Sequence, residues 1–467
     1  MQVFLVCLFL FWLVNGAAAC LVGREVLRRL LKVLLPVVFA LSLIVLAPHL
    51  VPYQRLVLTT AAMLYVLKGF LLLGRSRHDL STFSAGGLAI YLTIWPGLNP
   101  DPFRARTQTD EDGVRFVRGL IFAGAGLALA VAVALGTPYL GADAAGWAGI
   151  LSLLLIIHFG YAEILTCLLR LAGWNVQPLF QEPLKSKSLR EFWSRRWNLA
   201  FVEMNRLLFL GPLSRNFGVR KGLFAVFLVS GLLHELAISY AALGAWGGPL
   251  LYFCLQGVVY LAEERIMRLA PMNEIAKRMW VFALVVLPLP LLFTAPFRKT
   301  LVVPFFLGLH QGLTAHDLRW WFGLALSCAT VGNLVTLAAG AQIPWRLNWR
   351  SELSRLSSFN RKIILNYYAY VGLMILTWAV LTVLLRQELI NGDRAAICLA
   401  AVMGSFWGMR VLVDLFFFSH KDWPPGASMT IGHACLTTLF CLLTATYIGL
   451  VIWHAEALLI VPAASGR

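Results

Sequence analysis

Apolar residues are arranged along the chain in long runs, separated by short segments that carry most of the charge. A helix needs about 20 predominantly apolar residues to cross a bilayer. By that criterion the sequence predicts membrane spans at 2–22, 33–52, 55–74, 117–137, 147–171, 222–243, 250–268, 320–341, 364–385, 395–418 and 430–453. No β-rich region is present. The pattern therefore predicts an all-α polytopic membrane protein.

Three apolar segments do not fit this simple scheme. The run 83–97 is too short to span and is predicted to be re-entrant or packed inside the bundle. The runs 279–295 and 301–313 are separated by Arg298 and Lys299, which would lie on the wrong side of the membrane if both runs spanned. One of the two is therefore predicted to be re-entrant or tilted.

The last third of the chain has a different character from the rest. A basic amphipathic connector, Trp345–Lys362, follows the first of four predicted spans there. We therefore divide the chain into a domain of residues 1–315 and a C-terminal four-helix membrane module of residues 316–467, whose role the sequence does not indicate.

Composition supports the membrane assignment and excludes several other classes. Hydrophobic residues make up 60% of the 467 residues and charged residues only 13%, against about 25% charged in soluble domains. The net charge of +17 arises mostly in short loops, which is the positive-inside pattern. It therefore indicates cytosolic loops rather than nucleic-acid binding, although anionic lipid or a phosphate-bearing substrate remains a suitable partner.

The segment between Gly173 and Lys221 is the most basic part of the chain. It carries nine Lys or Arg residues against three Glu, so we expect it on the cytosolic side of an integral membrane protein. Within it, Leu199–Pro212 is apolar with sparse charges, which is typical of a segment lying in the interface or dipping into it.

Cysteine and histidine patterns argue against redox and metal chemistry. The eight Cys are scattered through apolar segments without a C-x-x-C pair, as expected of small buried side chains. Ala17–Cys20 faintly resembles a lipoprotein cleavage site, but basic residues follow it, so we expect an uncleaved first helix ending in the cytosol. The paired-His clusters of a di-iron desaturase are absent. We expect no metal and no cofactor.

His234 and Glu235 lie within the apolar run Gly222–Tyr240, which begins directly after Lys221. At 1.5 Å per residue, His234 is roughly 18–20 Å from the cytosolic end of the helix, near the middle of the bilayer. Ionisable groups at that depth are costly and are functional candidates. A neutral imidazole is a suitable general base for an alcohol proton. The alternative is a structural His bonded to a neighbouring carbonyl.

A second polar cluster, Phe192–Asn198, contains two Arg among three aromatic residues. That combination is also typical of a plain membrane anchor. Asn198 distinguishes it, because a carboxamide can stabilise the charge that develops on a carbonyl oxygen during acyl transfer, and an anchor has no need of it. For the other polar residues in the spans, interhelical hydrogen bonding competes with lining a cavity; these are His158, Tyr161, Glu163, Gln256 and Glu263.

Taken together, Pro183–Asn198 and Ser230–Glu235 resemble the wax synthase branch of the membrane-bound O-acyltransferase (MBOAT) family. Trp95–Pro100 and Phe253–Val259 resemble the same branch. The resemblance covers roughly residues 40 to 315 and departs from the branch at Ser194, where glycine is common. It implies a multi-helix fold around a buried, cytosol-connected tunnel.

The resemblance also implies an activity and assigns residues to it. His234 matches the family's catalytic histidine and Asn198 its second motif residue, in enzymes that transfer an acyl group, usually from acyl-CoA, to a hydroxyl. We expect transfer of a fatty acyl group to a lipophilic alcohol, giving a wax ester or related neutral lipid. The substrate-binding residues are then predicted to be Arg195 and Arg196 at the CoA phosphates, Trp193 and Trp197 along the thioester path, and Glu235 and Gln256 near the catalytic pair.

Two alternatives remain open at the level of sequence. The first is transfer of a short acyl group to a cell-surface glycan or a secondary metabolite. The second is a non-catalytic pathway for lipid or protons that uses His158 and His234. In every case the expected partners include membrane lipids and exclude nucleic acid.

Overall fold

A computed structural model describes residues 25–46, 49–107, 113–269, 272–418 and 427–455. Every regular element in these ranges is helical, and nine helical segments are long and apolar enough to cross a membrane. The prediction of an all-α, multi-pass integral membrane protein is confirmed. The predicted span 2–22, including Ala17–Cys20, lies outside the described residues.

The chain forms two compact units, Met1–Gln311 and Gly312–Arg467. The boundary between them lies close to the predicted one at residue 315, but a separate role for the second unit stays a prediction. The helices of the first unit, with the last one running on past the boundary, are α1 (Glu25–Leu46), α2 (Pro52–Leu73), α3 (Arg77–Ser81), α4 (Ala85–Thr93), α5 (Gly113–Gly136), α6 (Ala142–Leu153), α7 (Ala162–Leu171), α8 (Leu189–Glu191), α9 (Leu199–Met204), α10 (Gly211–Phe217), α11 (Val219–His234), α12 (Tyr240–Ala242), α13 (Gly248–Leu269), α14 (Glu274–Val286), α15 (Leu289–Leu292), α16 (Ala295–Phe297) and α17 (Val303–Thr314).

Wide π-helical turns interrupt or join several of these helices. They lie at Leu154–Tyr161, Phe192–Arg196, Asn205–Leu210, Glu235–Ser239 and Arg298–Val302. Such turns are rare and occur frequently at functional sites. Three of the five fall between residues 192 and 239, the segment that carries both polar motifs.

The second unit contains four long helices and three short ones. They are α18 (Leu318–Ala341), α19 (Ile343–Arg346), α20 (Trp349–Glu352), α21 (Ser358–Leu384), α22 (Arg386–Asn391), α23 (Arg394–Phe416) and α24 (Ala427–Trp453). A buried polar network joins three of them: the Asn333 amide donates to the Tyr447 hydroxyl at 3.1 Å, and that hydroxyl lies 2.7 Å from Thr382 Oγ1. Interhelical hydrogen bonds of this kind fix helix register in membranes.

The short apolar run 83–97 is packed inside the first unit rather than crossing the membrane. It forms the nine-residue helix α4, and Tyr91 and Trp95 near its end are buried. The fully buried Lys68 of α2 donates from Nζ to the carbonyl oxygens of Tyr91 and Trp95, both at 2.5 Å. The lysine thus donates hydrogen bonds to carbonyl groups that have no intrahelical donor at the end of the helix.

The run 301–313 is also too short to span. It forms the 12-residue helix α17, about 18 Å long at 1.5 Å per residue. Arg298 before it is buried, with Nη2 at 2.7 Å from Asp143 Oδ1 and Nη1 donating to the Phe293 carbonyl at 2.6 Å. Because this arginine is paired inside the protein, its position does not conflict with the charge pattern of the loops.

Helices α11 and α13 approach each other closely at Gly231. A Cβ at this position would lie 3.0 Å from Leu250 Cα and 2.9 Å from Leu250 Cδ1. Any larger side chain would push the helices apart, which is the reason for a small residue at a tight helix contact in a membrane protein. This contact holds the His234 segment against α13.

Candidate active site

The two polar motifs meet at one cavity of about 230 Å³. This is below the roughly 300–1,000 Å³ of pockets for drug-sized ligands, so the cavity suits a pair of reacting groups rather than a whole long-chain substrate. Its walls are formed by Trp193, Ser194, Trp197, Asn198, Phe201, Val202, Asn205, Arg206, Leu210, Leu223, Val226, Phe227, Ser230, His234, Phe253 and Tyr260.

Helical periodicity explains which residues line the cavity. From α11 they are residues 223, 226, 227, 230 and 234, and from α13 residues 253 and 260, each set lying on one face of its helix. The segment that follows Asn198 contributes residues 201, 202, 205 and 206 with the same spacing. The next lining residue is Leu210, because the π turn Asn205–Leu210 delays the repeat.

Asn198 sits at a sharp bend directly before α9. Its backbone is left-handed, with φ 43° and ψ 64°, a conformation that Asn adopts more readily than most residues. Hydrogen bonds fix the chain on both sides: Gln181 N donates to Arg196 O, and Leu199 N donates to Leu179 O, both at 2.8 Å. The Asn198 side chain does not cap α9 and lines the cavity instead.

The ring of His234 is held by one hydrogen bond and two aromatic contacts. Its Nδ1 lies 2.7 Å from the Ser230 carbonyl oxygen, and its centroid lies 4.4 Å from that of Phe253 and 5.8 Å from that of Phe201. A carbonyl oxygen can only accept, so Nδ1 carries a proton, and in the neutral imidazole Nε2 is then the unprotonated nitrogen. His234 therefore meets the requirement for a general base.

Trp197 is clamped between two parallel rings. His158 stacks on it at 5.9 Å and 17°, and Phe192 stacks on it at 5.4 Å and 14°. The indole of Trp193 is fixed differently, by donating from Nε1 to Gln256 Oε1 at 3.1 Å. Both tryptophans line the cavity, so the structure brings them together with Asn198 and His234.

Gln256 does not line the cavity but holds Trp193 in place. Its amide donates to the Leu284 carbonyl at 2.8 Å. That carbonyl has no helical donor four residues later, because Pro288 has no N–H. Gln256 thus links Trp193 to α14 through a backbone group that the proline leaves unpaired.

Glu235 also lies outside the cavity wall. It is buried, and Oε1 accepts a hydrogen bond from Leu250 N at 2.9 Å. Leu250 is in the first turn of α13, where an acidic side chain satisfies a free N–H and interacts favourably with the helix dipole. The structure places Glu235 as a cap for α13 rather than beside His234 or a substrate.

Neither predicted CoA-binding arginine lines the cavity. Arg195 is exposed, whereas Arg196 is bound to the protein, donating from Nε to Glu191 Oε1 at 2.7 Å. Burial raises the pKa of Glu191, but hydrogen bonds from Lys187 N and Arg196 more than offset it, so the pKa lies below its ordinary value. The arginine that lines the cavity is Arg206. The roles predicted for Arg195 and Arg196 stay predictions.

Two other polar residues considered from sequence, Glu163 and Glu263, form hydrogen bonds within the fold. Glu163 pairs with Arg115 and Arg118 of α5, both at 2.8 Å. Glu263 accepts hydrogen bonds from Leu189 N at 2.6 Å and Arg190 N at 3.1 Å. These bonds attach residues 183–198, the motif loop, to α13. Interhelical and loop-to-helix hydrogen bonding is therefore their observed function.

Several lining residues were not predicted. The most informative is Asn205, whose Oδ1 is buried and has no hydrogen-bond partner among the described residues. The sequence could have indicated Asn205, because it is a polar residue within the apolar segment Leu199–Pro212, seven residues after Asn198. Phe253 lay in a segment noted for its family resemblance, but its contact with His234 requires the fold.

Within the described residues, no three His, Cys, Asp or Glu side chains lie together in a way that could hold a metal ion. The expectation that the reaction uses no metal and no cofactor stays a prediction.

Comparison with known proteins matches the segment that supplies most of the cavity wall. Residues 176–255 match the model of the membrane bound O-acyl transferase family. A probable long-chain-alcohol O-fatty-acyltransferase 7 of Arabidopsis thaliana is 32% identical over 142 residues, which cover 26% of this chain and 42% of the relative. A probable long-chain-alcohol O-fatty-acyltransferase 1 of the same plant is 41% identical over 78 residues, 15% of this chain and 23% of the relative.

A bacterial relative also matches. A probable alginate O-acetylase of Pseudomonas syringae pv. tomato is 32% identical over 164 residues, 32% of this chain and 31% of the relative. The chain thus spans less than half the length of these curated relatives.

Residues 176–255 thus match the membrane bound O-acyl transferase family, which supports the predicted family and the predicted class of enzyme, an acyltransferase, for this segment. Over the matched residues, likeness to the Arabidopsis proteins agrees with the predicted resemblance to the wax synthase-like branch.

Proposed function

We propose that this protein transfers a fatty acyl group from acyl-CoA to the hydroxyl of a lipophilic alcohol, forming a wax ester or related neutral lipid. One observation carries the proposal above the others. His234, whose Nδ1 is engaged by the Ser230 carbonyl, lines the same cavity as Asn198 and has Nε2 left to accept a proton. A base and a carboxamide donor around one cavity are the groups that acyl transfer to a hydroxyl requires.

The reaction follows from this arrangement. The alcohol oxygen attacks the thioester carbonyl carbon while His234 Nε2 takes the hydroxyl proton. The carbonyl oxygen becomes negatively charged and accepts a hydrogen bond from the Asn198 amide. When the C–S bond breaks, the proton passes from His234 to the sulfur. The products are an ester and CoA thiol, and His234 returns to its starting state.

The surroundings of the cavity suit one polar and one lipophilic substrate. The apolar side chains of Leu223, Val226 and Phe227 form one wall and suit an alkyl chain. Arg206 lines the cavity, and the exposed Arg195 lies in the motif loop, residues 183–198. Guanidinium groups bind phosphate well. In our proposal this loop faces the cytosol, so that a soluble donor enters there and the alcohol enters from the lipid.

The donor and acceptor are tested by offering both together. Purified protein in lipid vesicles receives a long-chain or a short-chain acyl-CoA, with either a long-chain alcohol or an alginate-type glycan as acceptor. We expect ester from the long-chain pair. Product only from the short-chain donor and the glycan would favour the second candidate function, O-acetyl or short-acyl transfer, which the alginate O-acetylase relative suggests.

A further inference from the structure

The carboxamide of Asn205 has no structural task that the described residues reveal. The residue lines the cavity, yet its Oδ1 is buried and has no hydrogen-bond partner. A buried carbonyl without a donor costs free energy, and each such group in a folded protein requires an explanation. No hydrogen bond to Oδ1 among the described residues explains why an asparagine occupies this position.

On its own segment, the neighbours of Asn205 along the cavity face are mostly apolar. Phe201 and Val202 lie one turn before it on the same face, and Leu210 lies one π turn after it. In this setting a leucine of similar size would remove the unpaired oxygen and bury more apolar surface. The polar side chain therefore lowers stability, which is typical of a residue retained for function.

The position of Asn205 relative to Asn198 identifies the function. Asn198 lies at the bend before α9, and Asn205 begins the π turn that follows α9 seven positions later. Both line the cavity that His234 lines from α11. The Oδ1 atom of Asn205 is buried. The amino group of the carboxamide is therefore the part that can donate a hydrogen bond into the cavity.

We propose that Asn205 is a second catalytic donor, which together with Asn198 stabilises the oxyanion of the tetrahedral intermediate. This inference rests on the proposed acyl transfer. As the alcohol oxygen bonds to the carbonyl carbon, the carbonyl electron pair moves to the oxygen, and one N–H from each carboxamide holds the resulting negative charge. When the pair returns, the C–S bond breaks and the sulfur takes the proton from His234.

Two substitutions separate this role from a structural one. Asn205→Leu removes the donor and the unpaired oxygen together, so we expect an unchanged or higher thermal midpoint. Its kcat should fall on the order of 10²–10³-fold, the usual loss for one oxyanion donor, with KM for acyl-CoA within about twofold because the charge exists only in the transition state. Asn205→Asp, which keeps the shape but replaces the donor by an acceptor, should lose kcat at least as strongly.

The control is Leu207→Ala, in the same π turn. Leu207 is 50% exposed and does not line the cavity, so this variant should keep wild-type kcat. Wild-type kcat in Asn205→Leu, or a loss of kcat accompanied by an equal loss of thermal stability, would overturn the inference while leaving the proposed function intact. Absence of turnover by the wild-type protein with every acyl donor would instead refute the proposed function, and this inference with it.

Discussion

Replacing Glu235 separates two explanations for a buried carboxylate next to the histidine that we propose as the general base. If Glu235 orients His234 or binds substrate, removing its charge should reduce turnover. If it caps α13, as the 2.9 Å hydrogen bond from Leu250 N indicates, only the accepting oxygen matters. Glu235→Gln keeps that oxygen, whereas Glu235→Leu removes it.

The expected magnitudes follow from this single contact. In Glu235→Leu the part-buried Leu250 N–H loses its partner, which costs about 1–3 kcal/mol. Loss of the negative charge from the first turn of the helix adds about 0.3–1 kcal/mol. In Glu235→Gln the N–H stays paired and a buried charge is removed, which offsets the lost dipole interaction. We expect a clear fall in thermal midpoint for the leucine variant and little change for the glutamine variant.

The assay measures both quantities on the same purified protein. Thermal midpoints are taken from the loss of the monodisperse peak after heating, and ester formation is normalised to the folded fraction. Both variants should keep kcat within a fewfold of wild type. Loss of turnover in Glu235→Gln at an unchanged midpoint would refute the capping role and return Glu235 to the reaction.

Three further predictions concern the groups that hold the site together. Gln256→Leu leaves the Trp193 Nε1–H without its acceptor, so the thermal midpoint should fall and KM for acyl-CoA should rise; an unchanged KM would contradict the positioning of Trp193. Gly231→Leu should yield little folded protein by size-exclusion chromatography, since overpacking costs about 1–3 kcal/mol or more, and a wild-type yield would contradict the close helix contact. Because the pKa of Glu191 is lower in the folded protein, its contribution to stability is present at neutral pH and is lost as the pH falls below about 4. The midpoint difference between wild type and Glu191→Gln should therefore shrink towards acid pH, and a constant difference would contradict the ion pair with Arg196.

The lengths of the apolar runs predicted most of the helices, because the thickness of the bilayer sets the length of a span. The predicted span 117–137 corresponds to the helix Gly113–Gly136, and 364–385 to Ser358–Leu384. The short run 83–97 could not be placed from its pattern. Its packing depends on Lys68, a residue on another helix, and no local signal indicates that pairing.

In the candidate site, too, local sequence indicated some residues, whereas the contacts of others depend on the fold. Asn198 and His234 were found because a carboxamide and an imidazole are costly in apolar surroundings, and the structure lines one cavity with both. The functions expected of Glu235 and Gln256 depended on which way each side chain points. Glu235 instead meets the backbone of α13, and Gln256 meets a carbonyl that Pro288 leaves free. Such pairings are set by tertiary contacts across the helix bundle.

The most direct test of His234 as the general base of the proposed acyl transfer is turnover by His234→Ala. Wild-type and variant proteins are purified, shown to be equally folded, and given labelled long-chain acyl-CoA and a long-chain alcohol. We expect ester formation by the wild type and a loss of at least about 10²-fold in the variant, the lower end of the contribution of a general base. Ester formation by a folded His234→Ala protein at the wild-type rate would contradict it.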